Sequence, residues 1–313
     1  MNRIDDLLKA DINNAAQTKK LFYEFDPLLL EAFDDATNLY EILFRSFSTV
    51  ATDDKDQAEI FQLAEEFKVS QDYLVRIVKK EKVGLTDDRL KLRLEEINNR
   101  FFSRRARGIL LLNAYRAFMY AAADIRRLRL ISALGQLRFE IESIALISIF
   151  QNHKEFAEEW FHLKSDEEGR AFFSKTKRMV MEFCKNNDLL NEWNLASSGS
   201  QHARFAGMVE GLKIENFSKQ GRYINNFSFS LQDFDPNHPE RLIVRALYIL
   251  RAQAKIFPTF KLSLPEVFAL FLGVANMKLF YFKIEKLYAN FERRFPGYIR
   301  QIENKISKNS TGD

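Results

Sequence analysis

The sequence contains few of the residues that interrupt helices or cross-link a chain. Its 313 residues include only 11 Gly and 6 Pro, which favours long helices over a β fold with many turns. There is one cysteine, Cys184, so an intramolecular disulfide is excluded and a reducing compartment is expected. Because Cys184 lies in a helical pattern between Phe183 and Lys185, we interpret it as a buried apolar side chain.

Signals for export and membrane insertion are also absent. Residues 1–10 contain Asp5 and Asp6 and no apolar core, which is not typical of a signal peptide. The longest charge-free apolar run near the C-terminus, Val267–Met277, is far shorter than the roughly 20 residues that cross a bilayer. We therefore predict a cytoplasmic protein with no membrane contact. The formal charge of +4 and the pI of about 8.9 support a nucleic-acid partner only weakly.

Motifs of cofactor and metal sites are missing as well. There is no Gly-rich phosphate loop and no Cys/His cluster with the spacing of a zinc site. A single Glu-x-x-His motif joins Glu159 to His162, whereas a di-iron bundle needs two copies. Ser198–Ser200 lacks the strand–turn–helix context of a nucleophile elbow. We predict no cofactor and no metal.

Phenylalanine is the abundant aromatic residue, with 30 copies against 10 Tyr and 2 Trp. A Phe ring buries a large apolar area and has no polar atom to satisfy, so these rings are expected to pack between helices. We predict an all-α fold, a multi-helix bundle. The main predicted helices are Arg3–Phe22, Leu28–Phe47, Asp87–Arg127, Leu130–Gln151, Glu155–Leu163, Asp166–Asn186, Glu240–Ile256 and Ser263–Arg294.

Local signals define several ends of these helices. Asp26 is the expected N-cap of the second helix. Ser165, with Glu168 three residues later, forms a capping box. A tight reversal near Arg126–Ile131 is expected to join the two longest helices.

The segment after Asn186 is less regular. Asn187–Met208 has the weakest helical pattern, and after it apolar and polar residues alternate around Leu212–Glu215 and Phe227–Leu231. Alternation with a period of two is typical of strands. We therefore predict a single β-hairpin insertion at about 211–231, laid over the helices.

Breaks in the helical pattern also predict the domain organisation. Gly84 and Thr86 interrupt the pattern, which indicates an N-terminal helical region, 1–86, and a main helical bundle, 87–307. The hairpin belongs to the main bundle. Residues 308–313 are expected to form a disordered tail.

Residues 58–82 resemble the helix-turn-helix unit of DNA-binding proteins. Ala64 stands where the two helices of that unit cross, and Lys68 stands at the turn position that is usually Gly because φ there is often positive. The buried apolar positions are occupied by Leu63, Phe67, Val69, Leu74 and Ile77. The resemblance implies a second helix, capped by Ser70, that lies in the major groove. Its outward-facing residues, which we predict to bind nucleic acid, are Gln71, Tyr73, Arg76, Lys79 and Lys80.

The densest positive stretch of the sequence follows this unit. On a helix, Arg100, Arg104 and Arg107 share one face. Such a row of guanidinium groups suits the phosphates of a nucleic-acid backbone, so we add these three to the predicted nucleic-acid-binding residues. An ordinary solvated surface is the alternative interpretation.

A second resemblance spans about Arg107–Asn290. An Arg, a Glu four residues later on an apolar helix, and a downstream Ser-rich loop with a His resemble the signature of bacterial helical proteins distantly related to the HEPN (higher eukaryote and prokaryote nucleotide-binding) bundle. The matching residues are Arg138, Glu142, Ser198, Ser200 and His202. Residues four apart lie on one helix face, so Arg138 and Glu142 are expected to pair. The resemblance implies a polar site in which His202 acts as acid or base, and a salt bridge that tethers the loop is the alternative.

Three functional hypotheses follow from these features. The leading one is a non-enzymatic nucleic-acid-binding or regulatory protein of a bacterium or its mobile elements, with DNA or RNA as the partner. The alternative is a HEPN-like nuclease or toxin that acts on RNA through Arg138, Glu142 and His202. The third is a protein-interaction scaffold. A homodimer is compatible with each hypothesis.

Overall fold

The computed structural model describes the backbone of most of the chain and confirms the all-α class. The described residues are 3–50, 54–68, 70, 88–200, 212–219, 222–229, 238–260 and 267–310, of which 3–8, 45–50, 54–57, 60, 98, 101, 198–200, 212–219, 222–229, 267–274 and 305–310 are described without side chains. The helices are α1 (Arg3–Phe25), α2 (Leu28–Val50), α3 (Asp54–Glu66), α4 (Asp88–Arg126), α5 (Leu130–Asn152), α6 (Lys154–Phe161), α7 (Asp166–Asn186), α8 (Leu190–Ser200), α9 (Pro239–Ile256), α10 (Val267–Arg294) and α11 (Tyr298–Ser310).

Side-chain caps begin two of these helices, as their sequences predict. The Leu28 N–H donates to Asp26 Oδ1 at 3.0 Å at the start of α2. At the start of α7 the Glu168 N–H donates to Ser165 Oγ at 3.2 Å. The Glu168 carboxylate accepts from the Lys164 N–H at 2.6 Å, so the reciprocal bond of the capping box is made one residue earlier than in the usual form.

The predicted break between α4 and α5 is confirmed, and a residue in left-handed conformation makes it. Leu128 has φ of +62°. The Arg129 N–H donates to Asp124 O at 2.9 Å and the Leu128 N–H donates to Ile125 O at 3.2 Å, which is the bond pattern of a Schellman motif. A left-handed non-Gly residue costs roughly 1–2 kcal/mol, and burial of the Leu128 side chain offsets that cost.

The prediction of an irregular segment from Asn187 onward is wrong over residues 190–200, which form α8. Leu189, Trp193 and Ala196 are buried, and their spacing of four and three residues places them on one helix face. Ser198 and Ser200 therefore belong to a helix rather than to a loop. Because the residues around Ser198 and Ser200 are polar, the short apolar stripe that precedes them was not recognised as a helical pattern.

Contacts divide the chain into two compact units, each assembled from separate segments. Unit 1 comprises Met1–Ile42, Ala114–Glu142 and Cys184–Asp313, and unit 2 comprises Leu43–Asn113 and Ser143–Phe183. Helices α2, α4, α5 and α7 each contribute one part to either unit. The predicted boundary near residue 86 lies outside the described residues and stays a prediction.

Aromatic rings form much of the core of both units, as the Phe content predicts. In unit 1 the Tyr40 ring lies 5.6 Å from Phe118 and 5.1 Å from Phe257, measured between centroids. In unit 2 the Phe150 ring lies 5.9 Å from Trp160 and 6.3 Å from Phe172. Each unit contains one of the two Trp residues of the chain, so each has its own fluorescent reporter.

Two strands, β1 (Leu212–Lys219) and β2 (Arg222–Phe229), pair antiparallel, with Leu212 opposite Phe229 and Lys219 opposite Arg222. Their side chains are not described, and the packing of a hairpin insertion on the helices stays a prediction. Residues 311–313 of the predicted tail lie outside the described ranges. Among the described residues, no helix is both long and apolar enough to span a bilayer.

Candidate functional site

Four arginines form one face of α4 in unit 2, and we call Arg93, Arg100, Arg104 and Arg107 the arginine face. They are spaced by seven, four and three residues, and at 3.6 residues per turn they fall within an arc of about 60°. Three of the four were predicted to share a face, and α4 has the continuous helix that this requires. Sequence reasoning missed Arg93, although its spacing of seven from Arg100 is the signal that identifies it.

Glu59 of α3 holds two members of the arginine face. Arg100 Nη2 donates to Glu59 Oε2 in a close ion pair. Arg93 Nη2 lies 3.5 Å from Glu59 Oε1. Each carboxylate oxygen therefore faces a different guanidinium group, and α3 is joined to α4 through this bridge.

The other two arginines lie close together and are only half exposed. Burial lowers the pKa of Arg107, and the charge of Arg104 lowers it further. Arg107 Nε donates to Ser103 O at 3.2 Å, while Ser103 Oγ donates to Phe150 O at 2.8 Å. The backbone around Arg104 and Arg107 is thus anchored in unit 2.

The described residues include the first part of the segment that resembles a helix-turn-helix unit, up to Lys68. Leu63 and Ala64 are buried. Helix α3 ends at Glu66, and Lys68 has φ of +51°, the conformation expected at the turn position that is usually Gly. The Lys68 N–H donates to Glu65 O at 3.3 Å. The predicted contacts on the second helix, Gln71, Tyr73, Arg76, Lys79 and Lys80, lie outside the described residues.

Arg138 and Glu142 form the ion pair that their spacing predicts, and α8 adds a third partner. Arg138 Nε donates to Glu142 Oε1 at 2.6 Å, and Trp193 Nε1 donates to the same oxygen at 3.3 Å. The Arg138 guanidinium carbon also lies 5.6 Å from the centre of the Trp193 ring. Arg138 is buried, and its Nη1 has no hydrogen-bond partner among the described residues. His202 lies outside the described residues, two positions after the end of α8.

A second charged cluster, which sequence reasoning missed, surrounds the residue before Trp193. Glu192 is fully buried and pairs with Arg251 and with Lys255, whose Nζ lies 3.0 Å from Glu192 Oε1. Both Nη atoms of Arg251 also lie 3.4 Å from Glu303 Oε1. The four charged residues come from α8, α9 and α11. Arg251 and Lys255 lie four residues apart on α9, but no sequence spacing relates them to Glu192 or Glu303.

A third polar group lies in the core of unit 1. Glu140 is fully buried, and Tyr40 Oη donates to its Oε1 in a short hydrogen bond. The amide of Gln253 also faces the Glu140 carboxylate. Burial raises the pKa of Glu140 to about 8, a shift that these two donors only partly oppose. Burial thus favours the protonated form of Glu140, because the core solvates a carboxylate poorly.

Cys184 is buried, as predicted, and its surroundings suppress thiol reactivity. Burial raises the pKa of Cys184 to about 12, and the charges of Glu142 and Glu192 act in the same direction. A thiolate is the reactive form of cysteine, so this residue has a packing role in unit 1.

In the ranges that the structure describes, no group of three or more His, Cys, Asp or Glu side chains is arranged to hold a metal ion. The arginine face is partly exposed, whereas the clusters around Arg138, Glu192 and Glu140 are buried. No protein-family model, curated protein or solved structure is detectably similar to this chain.

Proposed function

We propose that the chain is a non-enzymatic nucleic-acid-binding or regulatory protein that contacts the phosphate backbone through unit 2. The arginine face of α4 is the observation that carries this proposal. Half-buried guanidinium groups on an anchored helix bind phosphate oxygens with little loss of side-chain entropy.

The local charge and the turn of the helix-turn-helix-like segment support the same proposal. Residues 76–107 contain eleven Lys or Arg and five Asp or Glu, although the whole chain has a formal charge of only +4. The left-handed Lys68 suits a turn after which a second helix, with Arg76 and Lys79, would enter a major groove. Both groups of predicted contacts belong to unit 2.

A salt titration of the full chain with labelled duplex DNA and single-stranded RNA tests the proposal. For duplex DNA, log K is expected to fall linearly with log salt, with a slope of about −0.9 for each phosphate contact. The Arg104→Ala/Arg107→Ala variant is expected to reduce this slope by about 1.8, since two contacts are lost. Arg76→Ala is expected to reduce it by about 0.9 in addition.

The matched control is Arg116→Ala/Arg127→Ala, which removes the same charge from two exposed arginines outside unit 2. Its slope should equal that of the wild type. Equal slopes for the two double variants, both verified as folded by circular dichroism, would contradict the proposal. Absence of binding to either probe at low salt would leave a protein-interaction scaffold as the best remaining function.

A HEPN-like site that acts on RNA is the second candidate, and the unpartnered Nη1 of Arg138 favours it. This buried guanidinium nitrogen lacks a described partner, and α8 leads from Trp193 toward His202. A neutral imidazole beside the Arg138–Glu142 pair would complete a polar site able to transfer a proton.

Cleavage of single-stranded RNA by the wild type, abolished in His202→Ala, is the expected result for this second candidate. The same assay with Trp193→Phe removes one donor to Glu142 and keeps His202, and some activity should survive. RNA cleavage unaffected by His202→Ala would exclude this site.

Several sequence-based predictions remain part of the proposal. They are the hairpin insertion at about 211–231, the division near residue 86, a cytoplasmic location and a bacterial or mobile-element origin. A homodimer is compatible with the arginine face, because two copies would double the number of phosphate contacts.

A further inference from the structure

A groove with exposed apolar side chains lies between α2 and α10 in unit 1. Its volume is about 500 Å³, and Leu279 and Phe282 of α10 are among the residues that line it. These two side chains are 66% and 70% exposed, and within the described part of the chain Phe282 is the most exposed large apolar residue. Neighbouring apolar side chains exposed together, with polar residues around them, are typical of a protein-interaction surface.

The two helices that form the groove run antiparallel, and their polar contacts define which turns lie at the same level. Lys283 Nζ lies 2.6 Å from Asp35 Oδ2 and 3.2 Å from Glu31 Oε2. One end of this helix pair is joined by Asn290 Nδ2, which donates to Asp26 Oδ2 at 2.8 Å. Residue numbers therefore fall along α10 as they rise along α2, and each turn of one helix lies level with a known turn of the other.

The two sides of the groove carry opposite charges. Residues 28–42 of α2 contain four Asp or Glu and no Lys or Arg, whereas residues 276–286 of α10 contain three Lys and one Glu. Asp34 of α2 and Lys286 of α10 are both exposed. Because Lys283 contacts the turn of α2 that contains Asp34, Lys286 lies within about one helical turn of the level of Asp34.

We propose that this groove is the interface of a homodimer whose twofold axis runs parallel to α2 and α10. A rotation of 180° about such an axis places α10 of one copy against α2 of the other without changing the level of any turn. The basic side of each groove then faces the acidic side of the other, and Lys286 lies opposite Asp34 of the partner subunit. Leu279 and Phe282 of both copies become buried at the centre of the contact.

A second copy is the occupant that these charges favour, because an isologous contact needs a surface that is complementary to itself. The acidic and the basic side of this groove supply both halves of that complementarity. The inference goes beyond the proposed function, since it concerns unit 1 and does not depend on a nucleic-acid partner.

Sedimentation equilibrium of the full chain, between about 1 and 100 μM, tests the interface. The wild type is expected to form a species of twice the 36.7 kDa mass of one chain. Leu279→Ser/Phe282→Ser should raise the dimer Kd at least about 100-fold, because four apolar side chains are lost from the centre of a symmetric contact. The matched control is Ile12→Ser/Tyr23→Ser, which changes two side chains of α1 that are 69% and 63% exposed and should leave Kd unchanged. Circular dichroism verifies that both variants are folded.

Two charge variants test the twofold arrangement itself. Asp34→Lys and Lys286→Glu each place like charges opposite one another twice in the dimer, so each variant alone should dimerise at least about tenfold more weakly than the wild type. An equimolar mixture of the two variants should form a heterodimer with nearly wild-type affinity, because both contacts again join opposite charges. Mixing cannot correct an effect that lies within one chain.

A wild type that stays monomeric at every concentration would overturn the inference and leave the groove to a segment of another protein. A dimer whose Kd is unchanged in Leu279→Ser/Phe282→Ser would also overturn it, because the contact would then lie elsewhere on the chain. Charge variants that dimerise weakly and do not recover on mixing would contradict the twofold pairing of α10 with α2.

Discussion

Replacing Glu140 by Gln is expected to stabilise the protein at pH 8 and to remove most of the pH dependence of its unfolding between pH 5 and 8. Glu140 is fully buried in unit 1 beside Tyr40 and Gln253. Burial raises its pKa from the ordinary 4.5 to about 8. The folded protein therefore keeps a proton on Glu140 across a pH range in which the unfolded chain has released it.

The sign of the effect follows from proton uptake on folding. Between pH 4.5 and pH 8 the folded state binds one more proton at Glu140 than the unfolded state, so the free energy of unfolding falls as pH rises. Each pKa unit corresponds to about 1.36 kcal/mol, and the loss across this window is on the order of 4 kcal/mol. A Gln side chain has the shape of the protonated acid and does not titrate, so its stability contribution stays constant.

Urea unfolding at pH 5, 6.5 and 8 measures the effect, with Trp193 fluorescence in a Trp160→Phe background as the reporter of unit 1. Glu140→Gln should unfold at higher urea than its parent at pH 8 and at similar urea at pH 5. Tyr40→Phe removes a donor to the Glu140 carboxylate and should lower stability at every pH. The free energy of unfolding of this variant should still fall as pH rises. Glu285→Gln, on an exposed side chain of α10, should follow the parent. Parallel pH profiles for Glu140→Gln and its parent would show that Glu140 is ionised in the folded protein.

Helix α7 shows what local sequence signals can establish. Its predicted span, Asp166–Asn186, is the observed one, because a Ser cap begins it and Asp188 in left-handed conformation follows its end. Helix α8 shows the limit of the same signals. Its apolar stripe contains only three residues. The helix forms because Leu189, Trp193 and Ala196 are buried in the tertiary core, and a local sequence pattern cannot predict that packing.

In the candidate sites, too, some contacts can be predicted from sequence spacing and others cannot. The Arg138–Glu142 pair follows from a spacing of four on one helix, and the arginine face follows from spacings of three, four and seven on α4. Glu59 lies 41 residues from Arg100 and Glu192 lies 59 residues from Arg251. Pairings over such distances depend on how helices pack, so the sequence analysis identified Arg100 but not Glu59, and it identified neither Glu192 nor Arg251.

The cluster around Glu192 is expected to be the most sensitive ionic contact in unit 1. The Glu192 side chain is completely buried, and the Arg251 and Lys255 cations that contact it are themselves largely buried. Arg251 cannot easily turn to solvent, because its guanidinium carbon lies 4.7 Å from the Tyr248 ring centre and 5.1 Å from that of Tyr288. Removing one partner of a buried ion pair leaves an uncompensated charge, which costs about 3–5 kcal/mol.

Glu192→Gln is therefore expected to lower the free energy of unfolding by about 3 kcal/mol, measured by urea unfolding at neutral pH with Trp193 as the reporter. Glu303→Gln is the matched control, because it removes a carboxylate from the same Arg251. Glu303 is 35% exposed and contacts Arg251 at 3.4 Å, so its loss should cost less than about 1 kcal/mol. Similar losses of unfolding free energy in the two variants would mean that burial does not determine how much each carboxylate contributes to stability. A large loss in Glu192→Gln alone would show that the stability of unit 1 depends on a buried anion between two cations.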